Sequence, residues 1–483
     1  MTELSLDQNP IWVPNVEIGA NRFDALYYDP TLTVAERHLR AKGPLGWKRL
    51  QDVASELYSF GAYELTNQIR FVERGQDTIP YLNVTEVKNP FVHFAGARHI
   101  DRASHRLLEK SACSPGTLLL AMSASIGRVG ILPATAGACN SNQHLAKVVI
   151  DGTQHDPHFL AIYFSSSVGK ASCEREAAGA VQKSLYLYNI ATLPIPDPSP
   201  SLRTAIGHKV RAAELLNARA EVEARRAVEQ LDTLFPNPMH RALKPNEDGK
   251  CDYFSGFVGN GELGLFHGAQ FFAPKRKNAI EFVSTSGVGR RIGTCGSRVR
   301  EKGKRTSSRK HLDPANVSGV DGYWTTEPDE DGGDVVIAES SQVLFMRMRP
   351  YLNKTTINDG SSAVSGSPEF LVYQFASSDS YFAALCLRQP WALSQVAEIA
   401  TGDRPRVDGE FVDDVLVPWP CDELRHEIGE HYRCSFVLRR RADTLVEQAI
   451  EDVERLVQGI LDETDTIHAG TALAEEFGLE VPK

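Results

Sequence analysis

Apolar and small residues recur along two stretches of the chain in alternating steps of four and three. In the first stretch these positions run from Ile206 to Leu234, and in the second they run from Ile428 to Leu456. Such steps keep all of the positions on one side of an α-helix, as in the seam of a coiled coil, while charged residues lie outside it. The pattern therefore predicts two long helices whose alanine-rich seams would let them approach closely.

The two helical stretches are copies of each other. Residues 196–235 align without a gap onto residues 418–457, at a shift of 222 positions. A period this long indicates duplication of a whole domain and not a solenoid of short repeats. Identical pairs include Pro196/Pro418, Pro198/Pro420, Leu202/Leu424, Arg203/Arg425, Ile206/Ile428, Gly207/Gly429, Ala220/Ala442, Ala227/Ala449 and Leu234/Leu456.

Two arrangements of these helices are open. Either they pair with each other through their seams, or each packs only on its own neighbouring domain. Asn217 and Arg439 fall within the seams and weaken a purely apolar contact, although a single polar seam residue can fix the register of a pair. We expect the pairing.

Short β-type runs precede each helix, with Gly, Pro, Asn and Ser between them. This composition is typical of mixed domains whose loops can carry function. The predicted strands include Thr117–Met122, Val129–Leu132, Leu145–Ile150 and Leu193–Ile195 before the first helix, and Gln342–Met346, Phe370–Phe375 and Val415–Val417 before the second.

The sequence therefore predicts an α+β protein with two tandem mixed α/β domains, each followed by a long helix, the helices pairing as an antiparallel coiled coil. We place the first domain at residues 1–200 and its helix at 201–238. The second domain follows at 239–420, its helix at 421–465, and a C-terminal tail at 466–483.

The composition is that of a globular protein, with 42% hydrophobic and 24% charged residues in 483. No apolar run approaches the roughly 20 residues that span a bilayer. The first residues resemble no signal peptide, so we expect a cytoplasmic protein without a membrane partner. The eight cysteines form no Cys-x-x-Cys pair, which favours reduced thiols over a metal site.

The formal net charge is −10, which argues against indiscriminate nucleic-acid binding. Cations are nevertheless clustered: residues 275–310 contain twelve Lys and Arg, with Glu281 and Glu301 as the acids. Local clustering is what attracts phosphates. The alternative is a solvated charge run without fixed structure.

Several segments resemble the specificity subunit of Type I restriction-modification systems, or a close relative in another methylation-based defence system. The resemblance covers most of the chain and lies in the order of the motifs, in two copies that each end in Pro-x-Pro and a helix. The segments are Arg22–Pro30, Ile79–Val84, Pro115–Leu120 with Ser125–Gly130, Val343–Lys354, and Thr401–Val407 with Val417–Pro420. Ser341-Gln342 departs from the Gly-Asp that usually precedes the strand, and 180–185 lacks the Arg-Pro-Arg found at 404–406.

The resemblance implies two target-recognition domains, each binding one half of a bipartite site in double-stranded DNA, with the helices as a spacer. It also implies partners: two DNA adenine methyltransferase subunits docked on the helices, and in some systems a restriction or other effector subunit. This chain would then need no cofactor or metal of its own, because S-adenosylmethionine would be bound by the methyltransferase.

Polar loop residues are the candidates for base contacts, since Arg and Lys suit guanine and Asn and Gln suit adenine. The candidate DNA-binding residues are Asn140, Asn142, Gln143, Gln182, Lys183, Arg290, Arg291, Arg298, Arg300, Arg347, Arg349, Arg404 and Arg406. The candidate partner-binding residues are Ile206, Val210, Ala220, Leu231, Ile428, Tyr432, Val446 and Val453.

Structural roles compete with these assignments. Arg347 and Arg349 could brace a strand against carboxylates, and Gln143 and Gln182 could cap backbone groups. Enzymatic motifs are not evident: Asn89-Pro90-Phe91 lacks the second proline of a methyltransferase motif, and no phosphate-binding Gly-rich loop occurs. Two rival classes stay open, a coiled-coil scaffold whose β-rich domains do not bind DNA, and a divergent nuclease.

Overall fold

A computed structural model describes residues 25–29, 32–33, 46–60, 68–179, 183–236, 269–326 and 331–479. The chain forms two compact units. The first contains residues 1–216 and 441–483, and the second contains residues 217–440. Each unit therefore combines one β-rich domain with part of both long helices.

The first unit is built on three sheets. Strand order is β2-β12-β9-β10-β6-β5 in the largest, β3-β7-β4-β11-β8 in the second, and β1-β13 in the smallest. The strands are β1 (Trp47–Arg49), β2 (Ala54–Tyr58), β3 (Phe71–Val72), β4 (Ile79–Leu82), β5 (Val87–Lys88), β6 (Phe91–Val92), β7 (Arg98–Ile100), β8 (Ala112–Cys113), β9 (Leu118–Ala121), β10 (Val129–Ile131), β11 (Cys139–Ser141), β12 (Leu145–Ile150) and β13 (Pro194–Pro196). The helices are α1 (Arg102–Leu107), α2 (Pro157–Ser165), α3 (Ser167–Glu176), α4 (Leu187–Thr192) and α5 (Pro200–Leu234), which continues into the second unit.

The second unit repeats this plan with fewer strands. Its sheets have the orders β15-β22-β19-β20, β16-β18-β21-β17 and β14-β23. The strands are β14 (Gly289–Arg291), β15 (Ser297–Val299), β16 (Lys302–Arg305), β17 (His311–Leu312), β18 (Gly332–Ala338), β19 (Val343–Met346), β20 (Thr356–Ile357), β21 (Val364–Gly366), β22 (Phe370–Gln374) and β23 (Leu416–Pro418). The helices are α6 (Pro274–Thr285), α7 (Ile292–Cys295), α8 (Ser380–Leu387), α9 (Pro390–Ala397), α10 (Gly409–Asp413) and α11 (Asp422–Gln458), which continues into the first unit, where α12 (Glu463–Phe477) follows.

Short 3-10 turns complete the described elements. They lie at Ala25–Tyr28, Leu50–Asp52, Val84–Glu86, Glu109–Ser111, Ala269–Phe272, Pro314–Asn316 and Pro350–Leu352. The seven predicted strands are all confirmed, with ends that differ by one residue at most, because each run is apolar and is bounded by turn-forming residues.

The duplication extends far beyond the helices. The order β2-β12-β9-β10 of the first unit recurs as β15-β22-β19-β20 in the second, and two short helices follow β12 as they follow β22. The parallel pair β4–β11 recurs as β17–β21. Even the register of the smallest sheet is kept, since Pro196 pairs with Trp47 and Pro418 pairs with Gly289. The upstream domains have thus kept their topology while their sequences diverged.

The predicted α+β class and the antiparallel pairing of the helices are confirmed. In the first unit Lys209 Nζ of α5 lies 2.5 Å from Asp452 Oδ2 of α11. In the second unit Gln230 Nε2 of α5 donates to Glu427 Oε1 of α11 over 3.0 Å. Because numbers rise along one helix while they fall along the other, the helices run in opposite directions.

The helices also pack on their own β-rich domains, so the two arrangements are not exclusive. The C-terminal part of α5 reaches the second domain instead, because Ala227 and Leu231 belong to the same apolar core as Leu344 and Phe345 of β19. The pair Gly207/Gly429 lies where each helix packs on the domain that precedes it. A Cβ at Gly207 would lie 2.4 Å from the carboxylate of Asp156, and one at Gly429 would lie 3.3 Å from the backbone of Phe382.

Arg439 shows how a charged residue fits a helical seam. Its guanidinium lies 2.5 Å from Asp321 Oδ2, and both side chains are mostly buried. Burial is the largest single influence on Asp321 and would raise its pKa, but the charges of Arg439 and Arg388, together with hydrogen bonds from Ser318 and Tyr323, outweigh it and the pKa is lowered. The seam is thus interrupted by an ion pair between α11 and the loop before β18.

The segment predicted as a C-terminal tail differs in the structure. Helix α11 ends at Gln458, where Gly459 takes a left-handed conformation with φ of 71°. The carboxylate of Asp462 then caps α12, which fills most of 466–483. The predicted helix 421–465 runs past this short interruption, although its seam positions end at Leu456, before Gly459 and the new N-cap.

Gly470 places α12 against α5 in the first unit. A Cβ at this position would lie 2.5 Å from the Cα of Ala205, and the carbonyl of Gly470 lies 3.1 Å from His208 Nδ1. Backbone atoms cannot rotate away from such a contact as a side chain can. The glycine is therefore required by packing and not by the helix itself.

We expect Gly470→Ala to destabilise the protein although alanine is the better helix former. Overpacking of a tight contact costs about 1–3 kcal/mol, which exceeds the gain in helix propensity of about 1 kcal/mol. Urea unfolding of the full chain measures the difference. Thr471→Ala, at an exposed neighbouring position, is the control, and stabilisation by Gly470→Ala would contradict the close packing of α12 on α5.

Candidate nucleic-acid interface

Each unit carries a cluster of loops at the same end of corresponding sheets, the sheet with β9 and β12 in the first unit and the sheet with β19 and β22 in the second. In the first unit it comprises residues 122–128, 142–144 and 178–184, of which 180–182 lie outside the described residues; we call it the first loop cluster. In the second unit it comprises residues 347–355, 367–369 and 401–406, the second loop cluster. Isolated β-bridges hold them together, Ser123 to Ser184 in the first and Met348 to Arg406 in the second.

The two loop clusters share a backbone frame. The N–H of Met122 donates to the carbonyl of His144, and the N–H of Arg347 donates to that of Glu369. Likewise the N–H of Leu185 donates to the carbonyl of Met122, and the N–H of Val407 donates to the carbonyl of Arg347. Positions 122, 144 and 185 therefore correspond to 347, 369 and 407.

Left-handed backbone conformations recur in the same loops. Ala124 has φ of 64° and Arg349 has φ of 47°, and these residues occupy corresponding positions. A left-handed non-glycine residue is strained by about 1–3 kcal/mol, and such strain is common at functional sites. A turn before the strand is repeated as well, with φ of 78° at Gly116 and 64° at Ser341. Ser341, which departs from the motif glycine, thus keeps the glycine conformation.

Polar side chains joined by hydrogen bonds lie in the first loop cluster, which also contains the exposed cations Arg128 and Lys183. Ser123 Oγ lies 2.9 Å from His144 Nδ1, and Gln143 Nε2 lies 3.5 Å from His144 Nε2. Asn142 accepts from the N–H of His144 and donates to Asn83 Oδ1 over 3.1 Å. Gln143 is half-buried and keeps polar surface accessible.

A charged triad occupies the corresponding place in the second loop cluster. Glu369 accepts three short hydrogen bonds from Arg406, at 2.6–3.0 Å, and a longer one of 3.4 Å from Arg347 Nε. The hydrogen bonds from Arg406 are the main reason that the pKa of Glu369 is lowered. Arg349 and Arg404 stand beside the triad with exposed side chains.

Arg388 ties the second loop cluster to its domain. Its guanidinium is almost fully buried and donates to the carbonyls of Asn353, Thr355 and Gly319, over 2.6–3.0 Å. Buried backbone carbonyls need such partners because no water reaches them. The loop after β19 is therefore held in one conformation.

The structure corrects two of the candidate DNA-binding residues. Asn140 is fully buried, with its amide bonded to Leu108 and Ser111, because β11 lies inside the unit. Arg298 is mostly buried and paired with Asp413 at 3.5 Å, where a Cβ on Gly409 would collide with its guanidinium. Asn140 is therefore enclosed within the unit, and Arg298 is engaged by a carboxylate.

The remaining candidates are distributed unevenly. Asn142, Gln143 and Lys183 lie in the first loop cluster, whereas Arg347, Arg349, Arg404 and Arg406 lie in the second. Arg300 is exposed directly after β15. Arg290 and Arg291 are exposed on β14, which pairs with the strand leading into α11. Gln182 lies outside the described residues.

Of Arg347 and Arg349, which could each brace a strand against carboxylates, only Arg347 does so. Arg347 contacts a carboxylate, whereas Arg349 is exposed. Residues 297–299 and 302–305 of the basic segment form β15 and β16, so this part is not an unstructured charge run. Arg276 has a structural role, donating to Gln395 and Phe271 carbonyls, and burial lowers its pKa.

The candidate partner-binding residues lie in the paired seam and on its flanks. Ile206, Val210, Ala220, Leu231, Ile428, Tyr432 and Val453 are buried, and Val446 is half-buried. They are buried within this chain, because the seam faces the other helix and the β-rich domains. The outer sides of the helices instead expose Val222 and Val437, 39% and 50% accessible.

Ser123, His144, Glu369 and Arg388 are site residues that the sequence analysis missed. The repeat offset of the helices does not relate His144 to Glu369, because 225 positions separate them and the offset is 222. The backbone hydrogen bonds reveal that the two residues correspond. Among residues that the structure describes, no group of three His, Cys, Asp or Glu side chains could hold a metal ion. Seven cysteines within the described ranges are free thiols.

Comparisons with solved structures find chains of Type I restriction-modification systems. The S subunit from M. genitalium is 13% identical, with a TM-score of 0.40 over 88% of this chain and 98% of that one. The HsdS subunit from Thermoanaerobacter tengcongensis is 12% identical, with a TM-score of 0.27 over 90% of this chain and 96% of that one. A chain from a type I R-M complex is 12% identical, with a TM-score of 0.28 over 88% and 98% of the two chains.

No protein-family model matches the sequence, and comparison with curated proteins finds no match. Identities of 12–13% to the S subunits do not establish the activity or the partners of this chain. These must be argued from its own residues. In the part of the chain that the structure covers, no helix is both long and apolar enough to cross a bilayer.

We expect Arg388→Leu to loosen the second loop cluster. The buried carbonyl of Thr355 and the part-buried carbonyls of Asn353 and Gly319 would lose this donor, and the free energy of unfolding should fall by about 2 kcal/mol. Urea unfolding gives the stability, and limited proteolysis shows whether cleavage begins within 347–355. Arg404→Leu, at an exposed position, is the control and should change stability by no more than about 0.5 kcal/mol. Equal effects of the two variants would contradict the role of Arg388.

Proposed function

We propose that this chain is the sequence-recognition subunit of a DNA-methylating complex of the Type I restriction-modification kind. Each loop cluster would contact one half of a bipartite site in double-stranded DNA. The observation that carries the proposal is the pair of loop clusters, which have the same backbone frame and different side chains. A duplicated frame with dissimilar chemistry suits two half-sites of different sequence.

Several side chains have the properties that DNA contact requires. The exposed Arg300, Arg349 and Arg404 offer cations for phosphates or guanine. The half-buried Asn142 and Gln143 carry amides of the kind that bind adenine, and the amide of Asn142 is bonded to Asn83 and His144 within the chain. The net charge of −10 is compatible with this role, because phosphates respond to local charge and not to the total. Most of the remaining surface would repel DNA, which limits non-specific binding.

The long helices would separate the two half-site contacts and bind two DNA adenine methyltransferase subunits. Since the seam is buried, docking would use the outer sides of α5 and α11, including Val222 and Val437. Exposed apolar side chains on a helix are suited to packing against partner helices. The methyltransferase would bind S-adenosylmethionine and carry out the chemistry, with a restriction or other effector subunit joining in some assemblies. Cytoplasmic location belongs to the same proposal.

Mapping of methylated bases tests the proposal directly. Cells that carry the chain with its neighbouring methyltransferase should methylate adenine within a bipartite motif, and cells that lack the chain should not. If every methylated motif persists after this chain is deleted, the proposal is contradicted and a scaffold role is favoured. Metal-dependent cleavage of DNA by the purified chain alone would favour a nuclease instead.

Salt dependence distinguishes phosphate contact from non-electrostatic binding. The affinity of the complex for a duplex containing its motif should fall steeply with salt. Arg404→Gln should lower the slope of log affinity against log salt by about one, because one phosphate contact is lost. Arg225→Gln, on an exposed position of α5, is the matched control and should leave the slope unchanged.

Shortening the helices should change the gap within the motif. Removing one heptad from each helix keeps the seam in phase and shortens each by about 10 Å. The unread gap should then change by about three base pairs, while both half-sites stay the same. Altered half-sites with an unchanged gap would contradict the spacer role.

A further inference from the structure

Arg347 is fixed at its backbone on both sides. Its N–H donates to Glu369 and its carbonyl accepts from Val407, over 3.0 and 3.1 Å. It follows β19 directly, a strand whose four residues are all buried. The Cα of Arg347 therefore has little freedom, and only the side chain can adjust.

One carboxylate orients that side chain. Arg347 Nε lies 3.4 Å from Glu369 Oε2. Arg406 Nη2 lies closer to the same carboxylate, 2.6 Å from Oε1. The side chain of Arg347 is 33% exposed. Among the described residues, no hydrogen bond engages its two terminal amino groups. A guanidinium held by Nε thus keeps a parallel pair of N–H donors available.

The triad retains a positive charge. Two guanidiniums share one carboxylate, and Glu369 stays ionised at neutral pH because its pKa is lowered, chiefly by Arg406. A residual cation with two parallel donors complements the O6 and N7 acceptors of guanine in the major groove. Adenine presents a donor at the position of O6, so it would repel one of the two N–H groups.

We propose that Arg347 recognises a guanine in the half-site of the second unit, with Glu369 as the positioning residue that aims it. This rests on the proposed function and makes it more specific. Arg406 completes the arrangement by sharing the carboxylate, so that Glu369 holds Arg347 through Nε alone. Arg349 and Arg404 would contact phosphates and not bases.

The first unit cannot recognise guanine in the same way. Met122, His144 and Ser184 occupy the positions that correspond to Arg347, Glu369 and Arg406. Methionine has no N–H donor, and Ser123 engages the ring of His144. A guanine contact of the Arg347 kind is therefore confined to the second unit.

The test maps methylated motifs in cells that express the full chain, or one of its variants, with the native partners. Wild type should methylate a motif with an invariant guanine at one position of one half-site. Arg347→Ala should lower the preference for guanine there by about 10- to 100-fold and leave all other positions unchanged. Arg347→Lys should give a similar loss, because lysine keeps the charge but lacks the planar fork of donors.

Glu369→Gln separates positioning from bulk stability. It should weaken the preference for guanine at the same position and at no other, and by less than Arg347→Ala does. Gln can still accept a hydrogen bond from Nε of Arg347, but it has no charge to hold the guanidinium in place. Arg404→Ala, in the same loop cluster, is the matched control and should lower total methylation without changing any base preference. A purely structural Glu369 would lower methylation uniformly.

The outcomes separate the two proposals. No chain-dependent motif in wild-type cells would overturn the proposed function. A wild-type motif whose guanine preferences all survive Arg347→Ala would overturn the guanine assignment alone. A duplex with 7-deazaguanine at the assigned position, which lacks only the N7 acceptor, should bind the wild-type complex more weakly and the Arg347→Ala complex equally well.

Discussion

Ala220 and Ala227 of α5 and Ala442 and Ala449 of α11 are fully buried along the helical seam. Small side chains let helix backbones approach closely, and removal of this apolar surface from water favours the antiparallel pair. Because each compact unit contains part of both helices, neither half of the duplicated sequence completes a unit by itself. The β-rich domains then pack on a helical frame to which both copies contribute.

That frame explains how the two β-rich domains could diverge without losing their fold. Backbone hydrogen bonds and strand register do not depend on side-chain identity, so the bonds from Met122 to His144 and from Arg347 to Glu369 are equivalent. The side chains at these positions can therefore change while the backbone hydrogen bonds are kept. Where the second loop cluster has the charged triad of Arg347, Glu369 and Arg406, the first has Met122, His144 and Ser184.

The candidate site was predictable at the level of loops and less so at the level of residues. Gln143, Arg347 and Arg404 were named from the sequence as candidates, and the structure places Gln143 in the first loop cluster and Arg347 and Arg404 in the second. Asn140 was misassigned since its neighbours do not reveal that β11 is buried inside the unit. Glu369 was missed because its importance arises from Arg347 and Arg406, which are distant in sequence and meet only in the folded chain.

The sequence by itself determined the helices, their duplication and the strands of the central sheets. These features depend on periodicity and local composition, which short segments carry in full. Only the tertiary structure decided where the units divide, which cations are exposed and which are paired, and that residues 463–477 form a further helix packed at Gly470. Such features depend on contacts between residues far apart in the chain, and a one-dimensional pattern does not specify which distant partner a side chain will meet.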